Sequence, residues 1–233
     1  TGAKVLAGST EEKITEGLDG LRDRLKEYYK LGARFTKWRG VYNISEKHPS
    51  KLSISSNAHA LARYSALVQE NNMVPIVEPE VLMDGNHSAD ECFNKTSEVL
   101  NKCFEELSLH EVDLSGIILK PNMILAGTSS EKKTSNEEIA KSTLKCLKEN
   151  VPQEVPGIAF LSGGQTEVEA TKNLNLINKF NDTSFIMSYS YGRALQQSAI
   201  KFWSKDIKNI KGTQKIFNNR ANMCSLAAQG KWS

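Results

Sequence analysis

The sequence predicts an α/β fold built as part of a (β/α)8 barrel, and three observations lead there. Strand-like apolar runs alternate with amphipathic helical stretches along the whole chain, the order expected of a parallel sheet buried on both faces. The alternation keeps a regular beat, with 41 residues from Lys37 to Glu78, 42 from Glu78 to Lys120 and 42 from Lys120 to Ser162. Each strand-like run also finishes in charged or small polar residues, which in a barrel form the active-site rim. A doubly wound sheet satisfies the first two observations, and the third favours the barrel.

The elements follow in order. Ser9-Thr10-Glu11-Glu12 fits a capping box. Ile14, Leu18, Leu21, Leu25 and Tyr28 then mark one apolar stripe of a first helix, stopped by Gly32. Before it, residues 1–8 read as a loop. Strands are expected at Ala33–Arg39, Val74–Glu78, Gly116–Lys120, Gly157–Ser162 and Ser184–Tyr189. Between them, one helix starts near Ser56 and runs through Leu61, Tyr64 and Val68, and another carries Val99, Leu100, Cys103, Phe104 and Leu107. A third opens on a second capping box, Ser135-Asn136-Glu137-Glu138, and a fourth follows Gln165. Two final helices are expected over Arg193–Trp203 and Ile207–Gln229. Five strands make the expected content strands four to eight of a TIM barrel, in a single domain over residues 1–233, with three β/α units outside this chain.

Composition narrows the function. With 233 residues, 39% hydrophobic and 24% charged, the chain has the make-up of a globular protein with a sizeable core. A net charge of +3 argues against bulk nucleic-acid binding, while leaving room for a local cationic pocket. No apolar run approaches the ~20 residues that cross a bilayer. Cys92, Cys103, Cys146 and Cys224 form no C-x-x-C pair and read as reduced, buried thiols of a cytoplasmic protein. The histidines at 48, 59, 87 and 110 are scattered, none spaced with carboxylates as a metal site needs, so no metal is expected.

Chemistry-bearing residues gather at the strand ends. Lys120 closes the run Gly116-Ile-Ile-Leu-Lys120. By itself it reads more readily as a solvated lysine than as an amine nucleophile. A free lysine with pKa near ~10.4 is neutral about once in 2,500 molecules at pH 7, so a nucleophilic one needs apolar walls or a neighbouring cation. Lys37 and Arg39, two apart in Phe35-Thr-Lys-Trp-Arg39, share a strand face and offer such cations. Glu78 and Glu80, two apart across Pro79, suit proton shuttling or structural pairing with those cations. Leu161-Ser162-Gly163-Gly164-Gln165 and Ser190-Tyr191-Gly192-Arg193 each follow a strand and precede a helix, an anion-cradling arrangement that barrels often place after strands seven and eight.

Five ordered stretches then carry a family resemblance: Phe35-Thr-Lys-Trp-Arg39, Val74-Pro-Ile-Val-Glu-Pro-Glu80, Leu119-Lys-Pro-Asn-Met123, Phe160-Leu-Ser-Gly-Gly-Gln165 and Ser190-Tyr-Gly-Arg-Ala-Leu195. Together they resemble the successive signatures of class I fructose-1,6-bisphosphate aldolase, from Gly17-Leu-Asp-Gly-Leu21 to Gln229-Gly-Lys231. The resemblance implies a cytoplasmic glycolytic lyase, usually a homotetramer, that uses no cofactor. Such an enzyme cleaves fructose 1,6-bisphosphate to dihydroxyacetone phosphate and glyceraldehyde 3-phosphate. It implies Lys120 as the Schiff-base amine, Glu78 as proton shuttle and Lys37 as stabiliser of developing negative charge, with Arg39 and Glu80 holding the polar network. Ser162, Gly163, Gly164, Ser190, Gly192 and Arg193 would hold the C1 phosphate. The family's base for carbon–carbon cleavage, a further phosphate-binding lysine and a C-terminal tyrosine are expected outside this chain. A scaffold role is a further expectation, with actin or acidic adhesin tails held at the cationic mouth.

Overall fold

A computed structural model describes residues 2–9 and 11–233. Five parallel strands form one sheet: β3 (Phe35–Tyr42), β4 (Val74–Val81), β5 (Ile118–Leu119), β6 (Gly157–Phe160) and β7 (Ile186–Tyr189). They lie side by side in chain order, without the reversal that defines a doubly wound sheet. Each is followed by helix on the same outer layer, so the sheet is a section of barrel wall. Across the first four strands the step is 39 to 44 residues, near the predicted 41–42, and from β6 to β7 it shortens to 29.

Alternation across each strand separates two environments. Trp38, Val77, Leu119, Ile158 and Met187 point outward into one continuous core. There they pack against α2 (Lys51–Glu70), α3 (Ala89–Leu109), α4 (Asn136–Asn150) and α5 (Glu167–Phe180). Lys37, Arg39, Glu78 and Lys120 occupy the intervening inward positions. The charged residues of β3 and β4 were expected at strand ends. Instead both strands continue three residues past Arg39 and Glu78, to Tyr42 and Val81.

The helices owe their starts to side-chain caps. Ser135 accepts from the Glu138 amide while the Glu138 carboxylate accepts from the Ser135 amide, as the predicted capping box requires. Ser88 with Glu91 and Thr166 with Glu169 repeat the device at α3 and α5. Helix α2 starts five residues before the expected Ser56, because Ser50 caps it by accepting from the Ser53 amide. The buried Glu12 carboxylate in turn accepts from the Ser50 amide and hydroxyl, docking the N-terminal segment onto that cap.

That segment departs from expectation. Gly2–Val5 (β1) is a strand rather than loop, paired antiparallel with β2 (Lys13–Glu16), where a helix was predicted. Thr10 of the expected capping box lies outside the described residues. The Ser9 hydroxyl does accept from the Glu12 amide, but within a hairpin turn. Helix α1 covers only Leu21–Lys30, since Gly17 (φ 137°) and Gly20 (φ 66°) hold backbone conformations no helix continues through. Leu21 and Leu25 keep the predicted buried stripe, and Gly32 stops the helix with φ 100°.

At the other end, α6 (Arg193–Trp203) matches its expected bounds and α7 (Ile210–Ala227) lies inside its own. Arg220 of α7 is buried and donates to the carbonyls of Glu167 and Ala194 and to the Thr171 hydroxyl. One guanidinium thus fixes α6 against α5.

All four cysteines are free and buried. Burial pushes the Cys103 thiol up to about 12, helped by the nearby Glu106 charge. Cys146 rises to about 11 for the same first reason. Both values are raised above the unfolded ~8.5. Their stabilising contribution is therefore intact below about pH 8.5 and fades as pH climbs toward 11–12. A disulfide reagent at pH 8 is expected to leave the native thiols unmodified and to titrate all four cysteines after denaturation. Fast labelling of the native protein would contradict that burial.

Candidate active site

Three inward-facing side chains meet on the sheet. The Glu78 carboxylate, on β4, lies 2.9 Å from the Lys37 ammonium of β3 and 3.0 Å from the Lys120 amine just beyond β5. Glu78 and Lys120 are nearly enclosed, their side chains 4% and 12% exposed, whereas Lys37 is 43% exposed at the mouth. Beside them Arg39 pairs with the buried Glu80. Burial works against the Arg39 charge, but the hydrogen bond and charge of Glu80 outweigh it and hold the guanidinium above its ordinary range. The sequence left open whether the carboxylates shuttle protons or pair with cations. The geometry makes both pairings, and places one carboxylate within proton-transfer reach of the amine.

Lys120 is positioned by its own backbone and by Asn122, a residue the sequence reading passed over. The Lys120 amide donates to the Val77 carbonyl at 2.8 Å. Asn122, buried, accepts from the Val81 amide and donates to the Thr96 hydroxyl and the Met123 carbonyl. It pins the segment after Lys120 to the end of β4 and to α3. The only available signal was a polar residue directly after Lys-Pro, which is also a common turn.

The two anion-cradling turns lie on the neighbouring strands. The Leu161 amide donates to the Pro121 carbonyl and the Ser190 amide to the Phe160 carbonyl, so the turns continue the same rim. Gly163 (φ 57°) and Gly164 (φ 99°) turn the backbone, with Ser162 buried before them. Gln165 fastens the turn by donating from both its amide and its side chain to the Ser162 carbonyl. The Gln165 side-chain Oε1 accepts from the Asn173 side chain of α5, and Asn173 Oδ1 accepts from Asn136 of α4. Ser190 is half-buried beyond β7. Gly192 then caps α6 without a side chain, which leaves the amide dipoles of its first turn open to an anion. A side-chain carbon added at Gly164 would lie 3.7 Å from the Arg193 guanidinium. Arg193 makes no ion pair among the described residues, so a free cation faces the glycine turn. Lys37, Glu78 and Lys120, with Arg39 and Glu80 beside them, thus meet on the inner face of the sheet, and the turns after β6 and β7 adjoin where Arg193 approaches Gly164.

The histidines divide differently from expectation. His48 and His87 stand apart, but His59, Glu106 and His110 come together with their ligand atoms within 4.8 Å of one another. Spacing along the chain concealed this, because His59 is on α2 and the other two belong to α3.

A family model described as fructose-bisphosphate aldolase class-I matches residues 1–233. The chain belongs to the class I fructose-bisphosphate aldolases. The probable class 1 aldolase of Xylella fastidiosa is 52% identical over 232 residues, covering 99% of this chain and 70% of that protein. The aldolase of Dictyostelium discoideum is 47% identical over 234 residues, or 66% of its own length. A cytosolic aldolase of Arabidopsis thaliana is 49% identical, with 58% of its length covered. Among solved structures, the Plasmodium falciparum aldolase in complex with TRAP and a small molecule inhibitor superposes with a TM-score of 0.97 at 44% identity, covering 100% of this chain and 68% of that one. The fold of this aldolase-family chain is thus that of a barrel section, as predicted.

Gly164→Ala is expected to lower stability by more than about 1 kcal/mol in urea unfolding, because φ of 99° excludes a side chain and the added carbon would press on Met83 at 3.3 Å. Gly192→Ala, where an added carbon meets nothing within 4 Å, should cost less. Equal losses would mean that the turn is not held as described.

Proposed function

We infer that Lys120 is the amine that makes a Schiff base with the C2 carbonyl of a ketose phosphate, and that the reaction is cleavage of fructose 1,6-bisphosphate. The observation that carries this reading is the contact of the Lys120 amine with a carboxylate that also holds a second cation, at 3.0 and 2.9 Å. The neutral amine attacks C2, forming a C–N bond while the carbonyl electron pair moves to oxygen. Glu78 relays the proton shed by nitrogen to that oxygen, giving the carbinolamine; a second proton, equivalent to the one the Lys120 ammonium lost on becoming a neutral amine, then lets the hydroxyl leave as water to give the iminium. When the C3–C4 bond breaks, its electron pair flows into the iminium and leaves an enamine. The C4 hydroxyl loses its proton as it becomes an aldehyde. The products are glyceraldehyde 3-phosphate and, after protonation of the enamine and hydrolysis, dihydroxyacetone phosphate. Lys37 faces the oxygen on which negative charge develops, and Arg39 with Glu80 keeps the adjoining wall fixed.

Ser162, Gly163, Gly164, Ser190, Gly192 and Arg193 hold the C1 phosphate in this reading. The free Arg193 and the uncapped α6 terminus are what support it. Residues 1–233 belong to one barrel domain, of which they supply five strands. Its setting is the cytoplasm, in keeping with cytosolic relatives and with the absence of any helix among the described residues long and apolar enough to cross a membrane. A homotetramer follows from the family resemblance. So does a second role, in which the exposed Lys37, Arg39 and Arg193 accept the acidic tail of an adhesin or a surface of actin. The specific support is the TRAP complex of the Plasmodium falciparum aldolase.

Borohydride reduction in the presence of dihydroxyacetone phosphate is expected to leave one covalent adduct, on Lys120, found by peptide mapping of the intact protein. Lys120→Met should abolish both trapping and turnover. Glu78→Gln should lower kcat about 10²–10⁴-fold. Arg193→Ala should raise KM by about 10–100-fold, the loss of a charge-assisted hydrogen bond, with a smaller change in kcat. An adduct on a different lysine would rule the assignment out.

A further inference from the structure

We propose that His59, Glu106 and His110 form a surface binding site for a divalent first-row transition metal, zinc in particular, that clips α2 to α3 outside the catalytic rim. The three side chains present two imidazoles and one carboxylate, a donor set that suits zinc. Glu106 and His110 are four residues apart, on one face at the end of α3, and His59 reaches them from the middle of α2. The His59 Nδ1 lies 3.1 Å from a Glu106 carboxylate oxygen, and the two imidazole rings stand edge to face with centroids 4.9 Å apart.

The orientation of His110 is the second, independent observation. Its Nδ1 lies 2.8 Å from the Glu106 backbone carbonyl, which only accepts, so Nδ1 carries the hydrogen. That contact fixes the tautomer and leaves Nε2 as the lone-pair nitrogen. Metal-ligating histidines are held in the same way, with the far ring nitrogen donating to a carbonyl or carboxylate.

The Glu106 carboxylate presents one oxygen to His59 and the other to Lys102. Lys102 is the competing cation, 3.2 Å from one Glu106 oxygen. It also has Glu105 at 2.9 Å, so it keeps a partner when a metal takes the other Glu106 oxygen. Bonds of about 2.0–2.1 Å in a tetrahedral site set ligand atoms roughly 3.3 Å apart. The observed separations of up to 4.8 Å close to that value by rotation of His59, whose side chain is 52% exposed. Three protein ligands leave the fourth position to water.

The end of α3 leads into the N-terminal side of β5, away from Lys120, so the metal braces the helical layer and takes no part in turnover. The test is a titration of the intact, untagged, chelator-treated protein with Co²⁺, followed by visible d–d absorption and reversed with Zn²⁺. One Co²⁺ per chain is expected, displaced by Zn²⁺. His59→Ala and His110→Ala should each weaken binding at least tenfold, about the least that the loss even of an outer partner costs. Lys102→Met, which removes the competing ammonium, should tighten it. Trace Co²⁺ should also broaden the imidazole NMR signals of His59 and His110 before those of His48 and His87, a readout that needs no variant. The proposal is overturned if no Co²⁺ absorption develops, if the two alanine variants bind as the parent does, or if all four histidine signals broaden together.

Discussion

The architecture of the rim depends on a single buried carboxylate. Glu78 is almost wholly enclosed, and an ionised carboxylate taken from water costs several kcal/mol unless cations and hydrogen bonds replace its hydration. Lys37 and Lys120 face it as counter-charges from the strands on either side, although Glu78 Oε2 accepts no hydrogen bond, so three adjacent strands meet at one charge. The register makes this possible. Glu78 lies level with Arg39, yet its ammonium partner is Lys37, two residues earlier; Glu80 lies level with Val41, yet pairs with Arg39, again two earlier. The long basic side chains lean along the sheet by one repeat, and both pairs use the same offset. A slip of one residue in β3 would turn both cations into the hydrocarbon layer.

The glycine-bearing turns are held from behind as well as by their own contacts. The Ser162–Gln165 turn is fastened to α5 through Asn173, and through it to α4, so its backbone direction is fixed before any ligand arrives. The Gly192 terminus has no side-chain cap, and its stability comes from Arg220 donating into the first turn of α6. Glycine-rich turns are flexible by composition, since glycine gives up the most backbone freedom on ordering. Here that loss is met once, in folding, by helices that are anchored elsewhere. The backbone donors of the turn are thus aimed by folding alone.

The barrel section was legible because its signals are periodic and redundant. Four of the five strands recur at a similar interval, and Lys37 with Arg39, like Glu78 with Glu80, declares a shared inner face through a spacing of two. The serine-capped starts of α2 and α3 were less visible, because a serine three residues before an amide leaves little trace unless an acidic partner is noticed. The first helix was misread for a definite reason. Ile14 and Leu18 fall on a helical period by coincidence, while Gly17 and Gly20 carry the deciding backbone requirement. The meeting of His59, Glu106 and His110 was hidden more deeply, since His59 and Glu106 are 47 residues apart and meet only because two successive barrel helices pack side by side. Long-range side-chain meetings of that kind have no one-dimensional signature.

A nearly neutral chain still presents a cationic mouth, and a count of formal charges explains how. Lys37, Arg39, Lys120 and Arg193 contribute four positive charges to the rim, and Glu78 and Glu80 contribute two negative ones, leaving +2 there out of +3 for all 233 residues. The remaining charges nearly cancel elsewhere, many as exposed pairs one helical turn apart, such as Lys95 with Glu98 and Lys141 with Glu137. Those pairs add little stability. The cancellation holds only in sum, because residues 201–231 carry Lys201, Lys205, Lys208, Lys211, Lys215, Arg220 and Lys231 against Asp206 alone. A small net charge for the whole chain therefore conceals separate cationic regions, each felt mainly within the Debye length of about 8 Å.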